Sequence, residues 1–308
     1  MATSDITLPS EQQVLRPRLW VRVRPYLILA PAFLVLVGIL YPFGLALFYS
    51  FTNYTLTSPN YQFVGLNNYV LMVQDPDFGH SVYVTLAYAI IATAVQVLLG
   101  LGIAILLTQE TFISKVLRTV LVFPLMIAPV IGALIWKLMA QPSVGIITQF
   151  LDTLGIHGVE WGATDATALP AVILIDIWIF TPFAALLLFA GLQGLPREPY
   201  EAANVDGASS WFTFRNLTLP LLTPVLLIVI IFRFMDSLKV FDIIYASTGG
   251  GPGQALMNFQ LQAYYNGFLY LNLSYGLAYM MVLWAFIYIV SQLLINYWSK
   301  AQKRAAGL

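Results

Sequence analysis

Cysteine is absent from this chain of 308 residues, and charged residues make up only 9% of it. Without cysteine the chain offers no disulfide, no thiolate nucleophile and no thiolate metal site. Its two histidines, His80 and His157, lie far apart in predicted loops, so a paired metal site is not expected. Lysine with arginine and aspartate with glutamate each total 14, and this balance gives no reason to expect a nucleic-acid partner.

Apolar residues are abundant instead, at 59% of the chain. This composition lies outside the range of ordinary soluble domains and indicates that lipid is part of the solvent. The first apolar run follows a cluster of arginines and is too long, and too poor in small residues that would mark a cleavage site, for a signal peptide. We therefore interpret it as a retained first membrane span.

Six stretches are apolar over roughly 20 residues or more, which is the length needed to cross about 30 Å of hydrocarbon. They are residues 26–50, 82–107, 117–139, 169–192, 219–243 and 275–297. Helices are expected because backbone polar groups in lipid must pair within their own segment, and the stretches lack the alternation of barrel strands. The prediction is an all-α integral membrane protein with six transmembrane helices.

Basic residues outside the spans fall on one side of the predicted membrane. They occupy the two termini and the loops after the second and fourth spans: Arg16, Arg18, Arg22, Arg24, Lys115, Arg118, Arg197, Arg215, Lys300, Lys303 and Arg304. The opposite loops carry acidic residues without lysine or arginine: Asp75, Asp77, Asp152, Glu160 and Asp165. Because basic residues in short loops stay in the cytoplasm, both termini are predicted to be cytoplasmic. Residues 1–25 are then a cytoplasmic segment, 26–297 the transmembrane domain and 298–308 a cytoplasmic tail.

Charged residues also occur inside the fifth predicted span. Arg233, Asp236, Lys239 and Asp242 recur at every third position with alternating sign, a spacing at which neighbours on a helix can pair. Leaving one unpaired in lipid would cost about 2.5–3.5 kcal/mol. Two interpretations remain open: Asp236 with Ser237 lines a solute pathway, or this ladder of charges is a strut that fixes a helix or a subunit interface.

The fourth predicted span contains one acidic residue, Asp176, with no basic residue within four positions. Phe180 and Phe183 follow it at helical spacing. A carboxylate accepts hydrogens from sugar hydroxyls while aromatic rings cover the apolar face of a sugar, so the combination suits a polyol. Taken singly, each ring is also explained by helix packing.

A polar segment, residues 196–220, separates the fourth and fifth spans. Pro199 and Glu201 are typical of a helix start, because proline tolerates the first turn and a carboxylate is favoured near the helix N-terminus. Gly207 would allow a sharp reversal about two turns later. The segment therefore predicts a short helix across the cytoplasmic face.

This segment resembles the EAA loop of the inner-membrane permeases of type I bacterial ABC importers, which share the MetI-like fold. Glu201, Ala202 and Ala203 match the EAA, Asp206 and Gly207 the following DG, and Leu219-Pro220 the closing LP. The resemblance implies a coupling helix that docks into a groove on a cytoplasmic ATPase subunit. Ala202 and Ala203 would permit close approach, Glu201 would be a polar anchor, and Gly207 would fix the turn.

Three further stretches are similar to the carbohydrate branch of that family, the maltose- and glycerol-phosphate-type permeases. They are FVGLNNY from Phe63 to Tyr69, KVFDIIY from Lys239 to Tyr245 and TGGGPG from Thr248 to Gly253. The resemblance implies that Asp176, Phe180, Phe183, Asp236 and Ser237 lie at or near a membrane-embedded sugar site. TGGGPG is not a phosphate-binding P-loop, because no Lys-Ser or Lys-Thr follows its last glycine.

The function implied by the resemblance is a transport subunit, not an enzyme, in a bacterial inner membrane. It would form half of a heterodimeric pathway with a second permease, and two ATPase subunits and an extracytoplasmic solute-binding protein would complete the importer. No cofactor is expected on this chain, with ATP and Mg²⁺ bound by the ATPase. The alternative is an ion-coupled secondary transporter that uses Asp176 and Asp236. An integral-membrane enzyme is weaker, because no Ser-His or metal-ligand constellation lies near one membrane face.

Overall fold

The computed structural model describes residues 19–58, 60–109, 111–157 and 161–305. Arg16, Arg18 and Glu160 lie outside these ranges, as does most of the predicted segment 1–25. The chain divides after Phe48 into two compact units. The described part of the first unit, residues 19–48, lies entirely in helix α1, Leu19–Ser50, which covers the first predicted span. All contacts described below belong to the second unit.

The second predicted span is confirmed as one long helix. A short helix, α2 (Asn67–Gln74), precedes α3 (Pro76–Leu107). Helix α3 begins where the Asp75 side chain accepts a hydrogen bond from the backbone N–H of Asp77, and Pro76 occupies the first turn, where its missing N–H has no helical partner to lose. Its 32 residues exceed the length needed to cross a bilayer.

The third predicted span, 117–139, is not one straight helix. It consists of α4 (Phe112–Val120), α5 (Val122–Leu125) and α6 (Pro129–Met139), with a bend of 97° before α6. The residue before Pro129 is Ala128, which has φ −60° and ψ 134°. Proline disfavours the helical conformation in the residue before it, and this accounts for the break. Helix α7 (Ile146–Thr153) follows.

The fourth span is α8 (Asp165–Gln193), which crosses α3 closely. It continues through Pro170 and Pro182. At the crossing, a Cβ added to Gly100 of α3 would lie 2.8 Å from Cβ of Ala184 and 3.0 Å from the backbone N of Ala185. Small residues therefore let the two backbones approach, as is usual between membrane helices.

The polar segment after α8 contains the predicted short helix, α9 (Glu198–Val205). A turn of helix, α10 (Ser210–Thr213), and a π-helical turn, Phe214–Thr218, then lead without a break into α11 (Leu219–Leu238). The fifth span therefore ends at Leu238 and not at residue 243 as predicted.

Three helices complete the chain. They are α12 (Asp242–Ser247), α13 (Phe259–Tyr264), which continues into a π-helical turn over Tyr265–Leu269, and α14 (Leu273–Ala305), the sixth predicted span. In the part of the chain that the structure describes, five helices are long and apolar enough to cross a membrane, and six spans are reached if the bent pair counts as one. The all-α membrane architecture is confirmed, with isolated bridges as the only β pairing among these residues.

Candidate functional site

A buried polar cluster joins three of the long helices. Gln96 comes from α3, Asp176 from α8 and Arg233 from α11. Each of the three residues is at most 3% exposed. Because burial removes these groups from water, they need hydrogen-bonding partners within the protein.

The hydrogen bonds in this cluster form a closed ring. Gln96 Nε2 donates to Asp176 Oδ2 at 2.7 Å, and its Oε1 accepts from Arg233 Nε at 2.7 Å. Arg233 Nη2 completes the ring to Asp176 Oδ2 at 3.2 Å. One amide thus bridges both members of a buried ion pair, and this satisfies the polar atoms that burial would otherwise leave unpaired.

The ion pair extends toward a more exposed end of the cluster. Arg233 Nη1 lies 3.0 Å from Asp236 Oδ2, and Asp236 Oδ1 lies 3.5 Å from Lys239 Nζ. The side chains of Asp236 and Lys239 are 45% and 56% exposed. Two carboxylates therefore meet two cations, so the four groups are neutral together, as charges at membrane depth need to be.

A cavity of about 240 Å³ opens beside these charges. Its wall includes Asp176, Phe180, Arg233, Asp236 and Ser237. The Arg233 guanidinium lies over the Phe180 ring, 4.1 Å from its centroid, in a cation–π contact. Carboxylates, a hydroxyl and an aromatic face thus share one small cavity, which is the combination that binds a polyol.

The structure brings together four of the five residues predicted for the solute pathway. Asp176, Phe180, Asp236 and Ser237 line the cavity. Phe183 is half-buried on α8 and does not line it.

The predicted charge ladder is wrong in its last step, from Lys239 to Asp242, whereas Asp236 pairs with Lys239 at 3.5 Å as expected. Arg233 and Asp236 lie on α11 and pair as expected, but Lys239 follows the last residue of α11 and Asp242 is the first residue of α12. The four positions therefore do not share one helix. Within the described residues, Asp242 forms no ion pair, although it lines the cavity. The most buried ion pair of Arg233 is with Asp176, which lies on another helix. Sequence spacing therefore could not predict this pair.

Sequence reasoning missed two residues of α3. Gln96, fully buried, links the ion pair, and the fully buried Tyr88 lies near the Asp176 carboxylate. The available signal was a single amide in an otherwise apolar run, since a polar side chain at membrane depth indicates an internal partner.

The second predicted site, around α9, lies on the molecular surface. Glu201, Ala202 and Asp206 are exposed, Ala203 is half-buried, and Val205 is 88% exposed. Ala202 and Val205 are three residues apart, so both fall on one exposed helical face.

The shape of this loop depends on the glycine after α9. Gly207 has φ +70°, a conformation that other residues rarely adopt, and the backbone N–H of Ala208 returns to the carbonyl of Ala203 at 2.9 Å. Beside the helix is an open cavity of about 880 Å³, whose wall includes Tyr200, Glu201 and Asn204. The Tyr200 hydroxyl donates to Thr218 Oγ1 at 3.1 Å and ties α9 to the start of the fifth span.

Comparison with protein families places most of the chain in one of them. Residues 96–304 match the family described as binding-protein-dependent transport system inner membrane component. This match includes the buried cluster, α9 and every helix from α4 onward except the last residue of α14.

Three curated relatives are similar over most of their length. The trehalose/maltose transport system permease protein MalF of Thermococcus litoralis is 38% identical over 268 residues, 86% of this chain and 90% of the relative. The sulfoquinovosyl glycerol transport system permease protein SmoG of Agrobacterium fabrum is 34% identical, over 89% and 91%. The sn-glycerol-3-phosphate transport system permease protein UgpA of Yersinia enterocolitica is 32% identical, over 84% and 88%.

Solved structures share the fold. A chain of a bacterial ABC transporter involved in the import of the acidic polysaccharide alginate superposes with a TM-score of 0.78, covering 93% of this chain and 99% of its own. The sequence identity is 21%, so this likeness establishes the architecture alone.

Proposed function

The chain belongs to the family of binding-protein-dependent transport system inner membrane components, and we propose that it is a permease subunit of an ATP-driven carbohydrate importer. It is a multi-pass membrane protein whose described helices supply up to six spans. Membership of this family sets aside the ion-coupled secondary transporter as an alternative. The transported solute would be an oligosaccharide, a disaccharide or a related polyol.

The observation that carries this proposal is the exposed helix α9, placed between the spans that hold the buried ion pair. Helix α8 ends at Gln193 just before it and α11 begins at Leu219 just after it. Asp176 lies on α8 and Arg233 on α11. A partner that displaces α9 would therefore move both helices of the pathway, which is what coupling to ATP hydrolysis requires.

The carbohydrate assignment is supported by the cavity beside Arg233 and by the relatives. The cavity offers carboxylate acceptors, the Ser237 hydroxyl and the Phe180 ring. The relatives are named for trehalose, maltose, a sulfoquinovosyl glycerol and a glycerol phosphate. Each of these names refers to a solute that carries more than one hydroxyl group.

The complete importer would contain this chain, a second permease, two ATPase subunits and an extracytoplasmic solute-binding protein. ATP and Mg²⁺ would bind to the ATPase subunits, and this chain would perform no covalent chemistry. Arg197 and Arg215 lie on either side of α9 in the sequence, and Lys115 belongs to the same predicted membrane face. These basic residues support a cytoplasmic α9 and cytoplasmic termini in a bacterial inner membrane.

The proposal is tested by ATP hydrolysis of the complete complex in lipid. Glu201→Lys reverses the charge at the cavity beside α9, and Gly207→Pro forces a φ near −65° where the chain needs +70°. We expect both variants to lose most of the hydrolysis that the loaded binding protein stimulates and to lose sugar uptake with it.

Lys115→Glu is the matched control for this test. It also reverses a charge at an exposed position of a short helix at the same predicted membrane face, and Lys115 does not line the cavity. Its hydrolysis should stay near the native level. Native hydrolysis and uptake in both Glu201→Lys and Gly207→Pro would contradict the coupling role.

A further inference from the structure

A second cavity adjoins the charged one at a single ring. It has a volume of about 270 Å³, and its wall includes Phe241, Gln260, Tyr264 and Phe268, closed on one side by aliphatic residues and a glycine of α14. Phe241 also lines the charged cavity beside Arg233. The two cavities therefore share one aromatic side chain as their boundary.

The rings around this boundary are held in a fixed arrangement. Phe241 and Tyr245 are stacked with centroids 5.0 Å apart and planes 14° apart, because one turn at the start of α12 joins them through the bond from the Tyr245 N–H to the Phe241 carbonyl. Tyr264 lies 5.2 Å from each of them. The next residue, Tyr265, donates its hydroxyl to the Gly249 carbonyl at 2.8 Å and fixes that end of α13.

The polar groups at this second cavity differ from those at the first. Its lining contains no charged side chain. Gln260 is half-buried in the wall, and its side chain makes no hydrogen bond to any other described residue. An amide offers two donors and an acceptor, so Gln260 can bind a hydroxyl without a buried charge. The hydroxyls of Tyr245 and Tyr264, 3.4 Å apart, add a polar edge to the ring cluster.

We infer that this aromatic cavity is a second sugar-binding subsite, in which a neutral sugar ring lies against Tyr264 and Phe241 and places a hydroxyl on Gln260. The inference rests on the proposed carbohydrate function and deepens it. The ring cluster supplies apolar contact and selects for solutes with an uncharged, flat ring face. The charged cavity, which Phe241 also lines, then receives the hydroxyl-rich edge of the same or the following sugar unit.

The test uses the complete importer in proteoliposomes with saturating binding protein. The sugar is the one that the native complex imports fastest from a panel of maltose, trehalose and sucrose. We measure sugar imported per ATP hydrolysed in Tyr264→Ala and Gln260→Leu. Each should import about tenfold less sugar, while binding-protein-stimulated ATP hydrolysis stays within about twofold of native. Tyr264→Phe should restore import, because it keeps the ring.

Tyr270→Ala is the matched control, because Tyr270 is an exposed ring nearby that lines neither cavity. It should import normally. Native import in both Tyr264→Ala and Gln260→Leu would overturn the subsite, and so would a parallel loss of import and hydrolysis, which would show that these residues only hold the fold. A native complex that neither imports any sugar of the panel nor responds to its binding protein would instead overturn the proposed function itself.

Discussion

At the scale of single residues, Arg233 is the group on which the buried cluster depends. Its guanidinium donates to Gln96, Asp176 and Asp236 from different nitrogen atoms and covers the Phe180 ring. A buried ion pair gains little over an apolar pair of the same shape, but a buried charge that loses its partner is costly. Removing one charge of the pair should therefore destabilise the protein strongly, whereas removing both charges together should cost less.

We predict that Arg233→Met lowers the free energy of unfolding by about 3–5 kcal/mol, because Asp176 is then left buried without its cation. The double variant Arg233→Met with Asp176→Asn should recover a large part of that loss. Thermal unfolding of the chain in lipid nanodiscs measures both. Asp236→Asn is the control: its side chain is 45% exposed, so the cost should be about 1 kcal/mol or less. Equal losses in the single and double variants would show that no buried pair exists.

The sequence predicted most members of this cluster, but it did not predict the pairs that join different helices. Helical spacing relates Arg233 to Asp236, three residues away, and that contact is present at 3.0 Å. Asp176 and Gln96 lie on other helices, so their contacts with Arg233 depend on how α3, α8 and α11 pack. No local rule supplies that packing, because the helices are apolar on nearly every face and carry no amphipathic signal of orientation.

At the scale of elements, the crossing of α3 and α8 places the cluster. Gly100 lies one turn after Gln96 on the same face of α3 and contacts Ala184 of α8. A larger residue at Gly100 would push the helices apart and lengthen the hydrogen bond from Gln96 to Asp176. The crossing is thus a requirement for the buried ring of hydrogen bonds.

We predict opposite effects for the same substitution at two glycines of α3. Gly100→Ala should lower the melting temperature, because the new methyl group meets Ala184 Cβ at 2.8 Å, and such overpacking costs about 1–3 kcal/mol. Gly102→Ala meets nothing within 4 Å and should be neutral or stabilising by up to about 1 kcal/mol. The melting temperature of each variant is measured in lipid nanodiscs. Equal melting temperatures for Gly100→Ala and Gly102→Ala would contradict a close crossing of α3 and α8.

The number and order of the long helices follow from the sequence, but two of their ends do not. Long apolar runs predict five of the spans, because lipid forces each run to satisfy its own backbone. The third run hides a bend of 97° before Pro129, and the fifth helix ends at Leu238, before the predicted end at residue 243. At Pro129 hydropathy stays high while the backbone changes direction, so composition alone gives no sign of that break.

At the scale of the whole molecule, the proposed function is mechanical. Helix α9 would receive movement from an ATPase subunit and pass it to α8 and α11, which meet at the pair of Asp176 and Arg233. The exposed face with Ala202 and Val205 is the surface that the ATPase would cover. A second surface on the opposite side of the membrane, such as α2, would stay free of the ATPase.

The most direct test is site-specific photo-crosslinking, for which the absence of cysteine makes any introduced thiol unique in this subunit. Val205→Cys, labelled with maleimide-benzophenone in the assembled complex, is predicted to form an adduct with the ATPase subunit, with a yield that changes when ATP and vanadate are added. Leu71→Cys, at an exposed apolar position on α2, is the matched control and should give no such adduct. An ATPase adduct from position 71 but not from position 205 would contradict the account.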